Sequence, residues 1–118
     1  MLDGTWIPQA AQLGGEAIPF PDAQLVIEGD HYVIEMAGAR EEGSLRIDAN
    51  ASPPQVDLLG TKGQHAGQAI AAIFRLRGNL LQLCYRVGGD ERSGARPHTL
   101  EAPRGTMQLL IRYRRKSS

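Results

Sequence analysis

Short runs in which apolar and polar residues alternate recur along the chain, separated by Gly, Pro and Asp. In residues 31–36, Tyr32, Ile34 and Met36 fall on one face and His31 and Glu35 on the other. A period of two is typical of a strand with one buried face, because successive side chains point in opposite directions. The pattern predicts eight or nine short strands, the clearest at 4–9, 24–28, 31–36, 44–49, 55–59, 69–76, 80–87 and 107–113.

The spacing of these runs, about ten residues, favours a β-sandwich or β-barrel over alternating helices and strands. Gly29 and Asp30 predict a hairpin turn between two runs. Polar or Gly-rich stretches predict loops at 13–22, 38–43, 60–67 and 88–96. The alanines of 69–76 also suit a helix, but the length of that run favours a strand. We expect an all-β fold and a single domain over residues 1–118.

The apolar positions of these strands predict the interior of the domain. Together they could fill a small barrel, whereas the alanines and glycines among them could leave a cavity, so both alternatives stay open. The predicted interior residues are Leu25, Ile27, Tyr32, Ile34, Met36, Leu45, Ile47, Phe74, Leu81, Leu83, Tyr85, Leu109 and Ile111.

Composition narrows the classes of partner and compartment. Lys plus Arg and Asp plus Glu number 13 each, so no global field attracts nucleic acid or anionic lipid. The single cysteine, Cys84, excludes an intrachain disulfide. The start of the chain has no signal-peptide pattern. We expect a soluble, cytoplasmic chain without nucleic-acid or membrane partners, and it stays open whether the chain is an excised domain or a processed form of an exported protein.

Catalytic and metal-binding patterns are not recognisable. The Gly-rich stretch at 60–67 has Lys62 before its second glycine, unlike a phosphate-binding loop. The paired carboxylates at 41–42 and 90–91 suit solvated loops, and Cys84 is expected to be partly buried. His31, His65 and His98 lie singly, without metal-ligand spacing. We therefore expect no enzyme, no metal and no cofactor.

Asp57 interrupts an apolar strand between Val56 and Leu58 and needs a cationic partner if buried. Arg75, Arg86 and Arg96 are the candidates. The pair could orient an anionic ligand at a barrel mouth, with Tyr85 as part of an apolar wall. The alternative, which we favour, is an ion pair that fixes strand register.

Gly4-Thr5-Trp6 resembles the Gly-x-Trp start of lipocalin-type barrels. The chain is more closely similar to an uncharacterised lipocalin-like domain family found mainly in planctomycetes and related bacteria. The loop at 88–95 is longer than that family's usual loop, and Leu100 replaces an aromatic residue. The pieces that carry the resemblance are residues 2–6, 25–30, 53–58, 72–76, Gly78, Leu81, Leu83, residues 84–86 and Arg96-Pro97.

The resemblance implies a lipocalin-like antiparallel β-barrel of about eight strands and no established reaction. It also implies that Trp6 plugs one end of the barrel under an arginine of the last strand. Arg112 is the predicted partner and Arg114 the alternate. The basic residues 112–116 are otherwise interpreted as a solubilising tail.

Two functions follow as expectations. The first is a module that binds a small, partly apolar, possibly anionic ligand inside the barrel. The second is a filled barrel that acts as a structural or protein-interaction domain. The size of the interior side chains distinguishes the two.

Overall fold

The computed structural model describes residues 2–19, 22–63, 66–87 and 96–116, and in these residues it contains strands and no helix. The all-β prediction is confirmed. The strands are β1 (Gly4–Leu13), β2 (Glu16–Ile18), β3 (Ala23–Glu28), β4 (His31–Met36), β5 (Ala39–Asp48), β6 (Gln55–Lys62), β7 (Ala69–Arg77), β8 (Leu80–Arg86) and β9 (Gln108–Arg115).

The sheet closes on itself. From β3 to β9 each strand pairs antiparallel with the next, and β1 pairs with both β3 and β9. The short β2 pairs only with the end of β1 and stands outside this ring. The result is an up-and-down barrel of eight strands, as predicted for a lipocalin-like architecture, with one extra strand. Closure removes the exposed edges that would otherwise pair with other chains.

β1 is longer than the predicted 4–9 because it changes partners along its length. Its first residues pair with β3 up to Trp6, and residues from Ala11 onward pair with β2. Pro8 lies between these two stretches, opposite Tyr113, where the pairing with β9 shifts register before Ala10. Proline has no N–H to donate to a ladder of hydrogen bonds. A strand therefore tolerates proline at a point where the strand changes partners.

Three other strands extend beyond their predicted bounds. β5 begins at Ala39, so the polar residues 39–43 belong to a strand and not to a turn region. β6 continues into the Gly-rich stretch as far as Lys62. Residues 112–115 form the end of β9, and the interpretation of 112–116 as a tail is wrong. Arg40, Arg112 and Arg114 suit these positions because they lie on the outer face of the barrel, which is solvated.

Alternate residues of each strand fill the barrel. The predicted interior residues belong to this core, except Met36, which is 40% exposed at the end of β4. The most completely buried of the core side chains include Trp6, Phe74 and Leu81. Val56, Leu58 and Tyr113 join them.

A second apolar cluster lies on the outside of the barrel. Ile73, Cys84 and Leu110 are opposite one another on β7, β8 and β9, and they face away from the interior. Residues 96–106, which we call the outer segment, cover this row with Ala102 and Leu100. In the described ranges no helix is long and apolar enough to cross a membrane.

Candidate functional site

Trp6, the predicted plug, is buried in the core near the end of the barrel where β1 begins. Its side chain is 0% exposed, and its indole N–H donates to the backbone carbonyl of Leu2 at 2.9 Å. The guanidinium of Arg115 lies over the ring, 4.5 Å from its centre. The plug is therefore an arginine stacked on a tryptophan, which combines apolar contact with a cation–π attraction.

The predicted partners of this stack, Arg112 and Arg114, are wrong. Both side chains are exposed, because Ile111 and Tyr113 face the interior and every second residue of β9 faces out. Arg115 falls on the inward side of that alternation. The prediction failed because the strand was ended at Tyr113, which left Arg115 in a supposed tail.

Gly4 provides the space for Arg115. A Cβ atom at residue 4 would lie 3.2 Å from the Arg115 Nε, and the φ of Gly4, 137°, is one that other residues rarely adopt. The Arg115 Nε is buried and has no hydrogen-bond partner among the described residues. The Gly-x-Trp pattern therefore serves the plug, in which the ring face of Trp6 is the main neighbour of this cation.

The interior next to the plug is almost full. The space that remains there is about 10 Å³, at the lower limit of what holds one water molecule. The walls are entirely apolar, and a water molecule needs polar partners, so this space offers nothing to a ligand. It is lined by Leu2, Leu25, Ile27, Leu45, Val56, Leu58, Phe74, Leu81 and Leu83.

Polar groups also face the interior, although they do not line this space. Burial raises the pKa of Tyr85 to about 12, with smaller contributions from Glu41 and Tyr32. Burial, and secondarily Glu41, raises the pKa of Tyr32. Burial also raises the pKa of Tyr113, with Tyr85 nearby. Glu41, Tyr32 and Tyr85 are therefore electrostatic neighbours inside the barrel, and Tyr113 is a neighbour of Tyr85.

Sequence reasoning missed this group because it placed Glu41 and Glu42 in a solvated loop. Both lie on β5 and are half-buried. Glu42 faces out, 3.5 Å from His31 and 3.4 Å from Arg40. Glu41 is opposite Ile34, a core residue, and thus on the inward face. The available signal was the alternation itself, which continues from Leu45 back to Glu41.

Tyr32 is held in place by a glycine. A Cβ atom at Gly43 would lie 2.6 Å from the ring of Tyr32 and 2.4 Å from the carbonyl oxygen of Leu59. The tyrosine therefore packs directly on the backbone of β5, with 4% of its surface exposed. Any larger residue at position 43 would displace it.

The structure brings Asp57 and Arg96 together, which is one of the three arginine pairings predicted for Asp57. The Arg96 Nη2 donates to the Asp57 Oδ1 at 2.6 Å, and Nη1 donates to the carbonyl oxygens of Ala72 at 2.7 Å and Val56 at 3.4 Å. The side chains are 25% and 27% exposed. Asp57 alternates with the inward-facing Val56 and Leu58, so the pair lies on the outer wall and anchors the outer segment.

The other residues of the predicted ligand site are not brought to that pair. The side chains of Arg75 and Arg86 are exposed on the outside of β7 and β8. Tyr85 faces inward, on the opposite side of the wall. The predicted mouth of Asp57, Arg75, Tyr85, Arg86 and Arg96 is therefore not a single site. The barrel wall separates Tyr85 from the other four residues, and neither Arg75 nor Arg86 forms an ion pair with Asp57.

Cys84 is completely buried beneath the outer segment and not partly buried as predicted. Its thiol donates to the carbonyl oxygen of Glu101 at 3.4 Å, and the same oxygen accepts from the Gln108 side chain at 2.8 Å. Burial raises the pKa of the Cys84 thiol. A buried thiol that stays protonated is a poor nucleophile and a poor metal ligand.

No cluster of three or more His, Cys, Asp or Glu suited to a metal ion occurs in the described ranges. His98 is exposed, and His65, Asp90 and Glu91 lie outside the described residues. The predicted loop at 88–95 also lies outside them.

Four arginines lie together on the outer wall, and their proximity was not predicted from the sequence. Arg75 and Arg77 of β7 face out, as do Arg112 and Arg114 of β9. β8 lies between these two strands, so the four side chains surround Gln82 and Leu80. We call this surface the arginine face. Each pair was visible as alternate residues of a strand, but their proximity depends on the order of strands.

The comparisons with known proteins add no family and no relative. No family model, no curated protein and no solved structure matches this chain.

Proposed function

We propose that this chain is a filled-barrel domain that acts through its outer surface, as a structural or protein-interaction module. The observation that carries the proposal is the packed interior beside Trp6, where about 10 Å³ remains among nine apolar side chains. Sites for drug-sized ligands enclose several hundred Å³. Where the described interior leaves no such volume, the walls and loops of the barrel are the surfaces that remain for partners.

The test is a thermal-shift comparison with a variant that has a cavity. Phe74 is 2% exposed and lies at the wall of the remaining space, so Phe74→Ala creates an apolar cavity. Such cavities stay dry and bind benzene. We expect benzene and indole to raise the melting temperature of Phe74→Ala and to leave the wild-type protein unchanged, because only a ligand bound to the folded state stabilises it.

Should Phe74→Ala fail to fold, Leu58→Ala provides a smaller cavity from the same lining. Medium-chain fatty acids, aromatic acids and small amines complete the set of compounds tested on the wild-type protein. A wild-type shift as large as that of the cavity variant would overturn the proposal, since it would reveal a ligand volume in the native barrel.

A small-molecule binding module is the second candidate, favoured by one observation. Tyr32, Glu41 and Tyr85 face the interior outside the filled space beside Trp6, where a ligand inside the barrel would meet them. A carboxylate among aromatic rings suits a cationic ligand, because both attract positive charge. The anionic ligand expected from Asp57 and the arginines has less support, since those groups lie on the outer wall. Stabilisation by small amines that Glu41→Gln abolishes would favour this candidate.

A further inference from the structure

The charges of the barrel wall are distributed unevenly. On β4 and β5, Arg40 lies 3.6 Å from Glu35 and 3.4 Å from Glu42, so basic and acidic groups neutralise one another. On the arginine face, none of the four guanidinium groups forms an ion pair or hydrogen bond with another described residue. A local excess of positive charge therefore persists on a chain whose net charge is zero.

The strand register gives this face a defined geometry. Arg75, Gln82 and Arg112 lie opposite one another across β7, β8 and β9. Arg77, Leu80 and Arg114 form the neighbouring row. With strands about 4.8 Å apart and alternate residues about 7 Å apart, the four arginine Cα atoms mark a rectangle of roughly 10 by 7 Å. This rectangle is rigid because all three strands belong to the closed barrel.

An apolar side chain stands in the row between two of the arginines. Leu80 is 52% exposed, one of the few large apolar residues on this surface. Its neighbour across β9, on β1, is Ile7, which is half-buried. A leucine between arginines resembles the composition of an interface core, which is more apolar than the rest of the surface and enriched in arginine.

We propose that the arginine face docks a partner protein through a compact acidic patch that carries an apolar side chain for Leu80. The inference rests on the proposed function and identifies the surface that performs it. Each guanidinium offers paired N–H donors that match a carboxylate. The docking partner needs several carboxylates within the same small area, and an apolar residue between them.

Other polyanions fit this face less well. Nucleic-acid binding is commonly supported by a net positive domain and by aromatic side chains on which bases stack. The chain has no net positive charge, and the two rows contain no aromatic residue. An anionic bilayer is flat and needs a larger apolar anchor than one leucine on a curved wall. In a second copy of this chain, Glu35 and Glu42 are already paired with Arg40, so β4 and β5 do not offer the compact acidic patch that this face needs.

The experiment measures binding of a fluorescent peptide of glutamates around a central leucine, and of the same peptide with serine in place of leucine. Arg112→Glu/Arg114→Glu reverses half of the face. Arg86→Glu/Arg104→Glu is the matched control, because it changes the net charge equally at exposed arginines outside the two rows. Circular dichroism and the melting temperature establish that both variants are folded.

We expect the first variant to weaken binding of the leucine peptide by roughly 10- to 100-fold and the control by less than about threefold. Leu80→Ala should weaken the leucine peptide several-fold and leave the serine peptide unchanged, which assigns the apolar contact by a double-mutant cycle. Equal weakening by the two charge variants would overturn the proposal, since net charge alone would then explain binding.

Two further outcomes overturn the inference while leaving the proposed function intact. The first is no binding of either peptide at low ionic strength. The second is tighter binding of oligouridylate or of vesicles that contain phosphatidylserine, which would assign the face to another class of anion. The proposed function itself fails only in the separate test with interior ligands, so the two failures are distinguishable.

Discussion

The outer sides of β7, β8 and β9 contain two neighbouring regions, one covered by the outer segment and the other exposed. The row of Ile73, Cys84 and Leu110 is apolar, and the outer segment buries it. The next rows contain the four arginines with Gln82 and Leu80, and within the described residues nothing covers them. The same strands thus support an intramolecular interface and, next to it, an open surface.

The difference shows which part of a barrel wall is covered by another segment of the chain. Burial of an apolar row gains about 25 cal/mol per Å², which repays the ordering of an irregular segment. Burial of arginines would cost free energy unless each met an acceptor. The outer segment therefore stops at the apolar row, and only a partner with its own carboxylates can cover the arginine face.

Substitution of Trp6 should have the largest effect on the stability of the packed part of the molecule. Trp6→Ala removes a fully buried ring, the hydrogen bond to Leu2 and the stack with Arg115, so it should cost roughly 3–5 kcal/mol. Denaturant unfolding measures the loss. A change below about 1 kcal/mol would mean that the indole is not part of the core.

Two leucines on neighbouring rows make the comparison quantitative. Leu110→Ala should lower the free energy of unfolding by roughly 2–4 kcal/mol, because Leu110 is 4% exposed beneath the outer segment. Leu80→Ala, at 52% exposure, should cost less than about 1 kcal/mol. Equal losses in the two variants would contradict the assignment of one covered and one open region.

Alkaline pH tests the buried phenols. The pKa of Tyr85 is raised from its ordinary value of 10.0 to about 12, so the unfolded chain releases this proton first. The stability contributed by the neutral phenol is complete below pH 10 and is lost as the pH rises towards 12. The loss is about 1.4 kcal/mol per pH unit for each such tyrosine.

The measurement is the free energy of unfolding as a function of pH in wild type and Tyr85→Phe. The raised pKa values of Tyr32 and Tyr113 act in the same direction, so the variant should retain part of the slope. A wild-type stability that stays constant from pH 10 to 12 would show that the phenols are accessible to water.

The anchor of the outer segment has a smaller expected effect. Arg96→Met removes donors to Asp57, Ala72 and Val56 and should cost about 1–2 kcal/mol, since the ion pair itself is partly solvated. Loosening the segment should also speed modification of the Cys84 thiol by a disulfide reagent. Arg104→Met, an exposed change on the same segment, is the control. Equal rates of thiol modification in both variants would show that the Arg96 anchor does not protect Cys84.

The arginine face should contribute least to folding. Arg77→Gln or Arg114→Gln should change the free energy of unfolding by no more than about 0.5 kcal/mol, because neither side chain has a partner within the described part of the chain. Thermal or denaturant unfolding checks this. A loss above about 1 kcal/mol would mean that the arginines stabilise the barrel, and the face would then need no partner to explain it.

The sequence predicted most of the barrel because a closed antiparallel sheet repeats one simple pattern. Tyr32 and Ile34, Leu45 and Ile47, and Leu109 and Ile111 each lie two residues apart and face inward as expected. Strand ends were less predictable. Polar residues at the start of β5 and basic residues at the end of β9 continue the ladder, which tertiary pairing supports even where the residues themselves suggest a loop or tail.

The candidate site was less predictable, because it depends on which side of the wall a residue faces and on which strands are neighbours. Asp57 was correctly suspected of pairing with an arginine, but the alternation around it placed it outside and not at a mouth. The outer segment shows no regular alternation of apolar and polar residues, so its sequence did not predict that it covers Cys84. The arginine face required the order β7-β8-β9, which no single strand reveals.

The most direct test of the account is a two-dimensional ¹H–¹⁵N NMR titration of the labelled chain with the leucine-containing acidic peptide. We expect shift changes on β7, β8 and β9 at the arginine face, centred on Leu80 and Gln82, with the signals of β4, on the far side of the barrel, unmoved. Changes centred on the interior tyrosines Tyr32 and Tyr85, or spread over all exposed arginines, would contradict it.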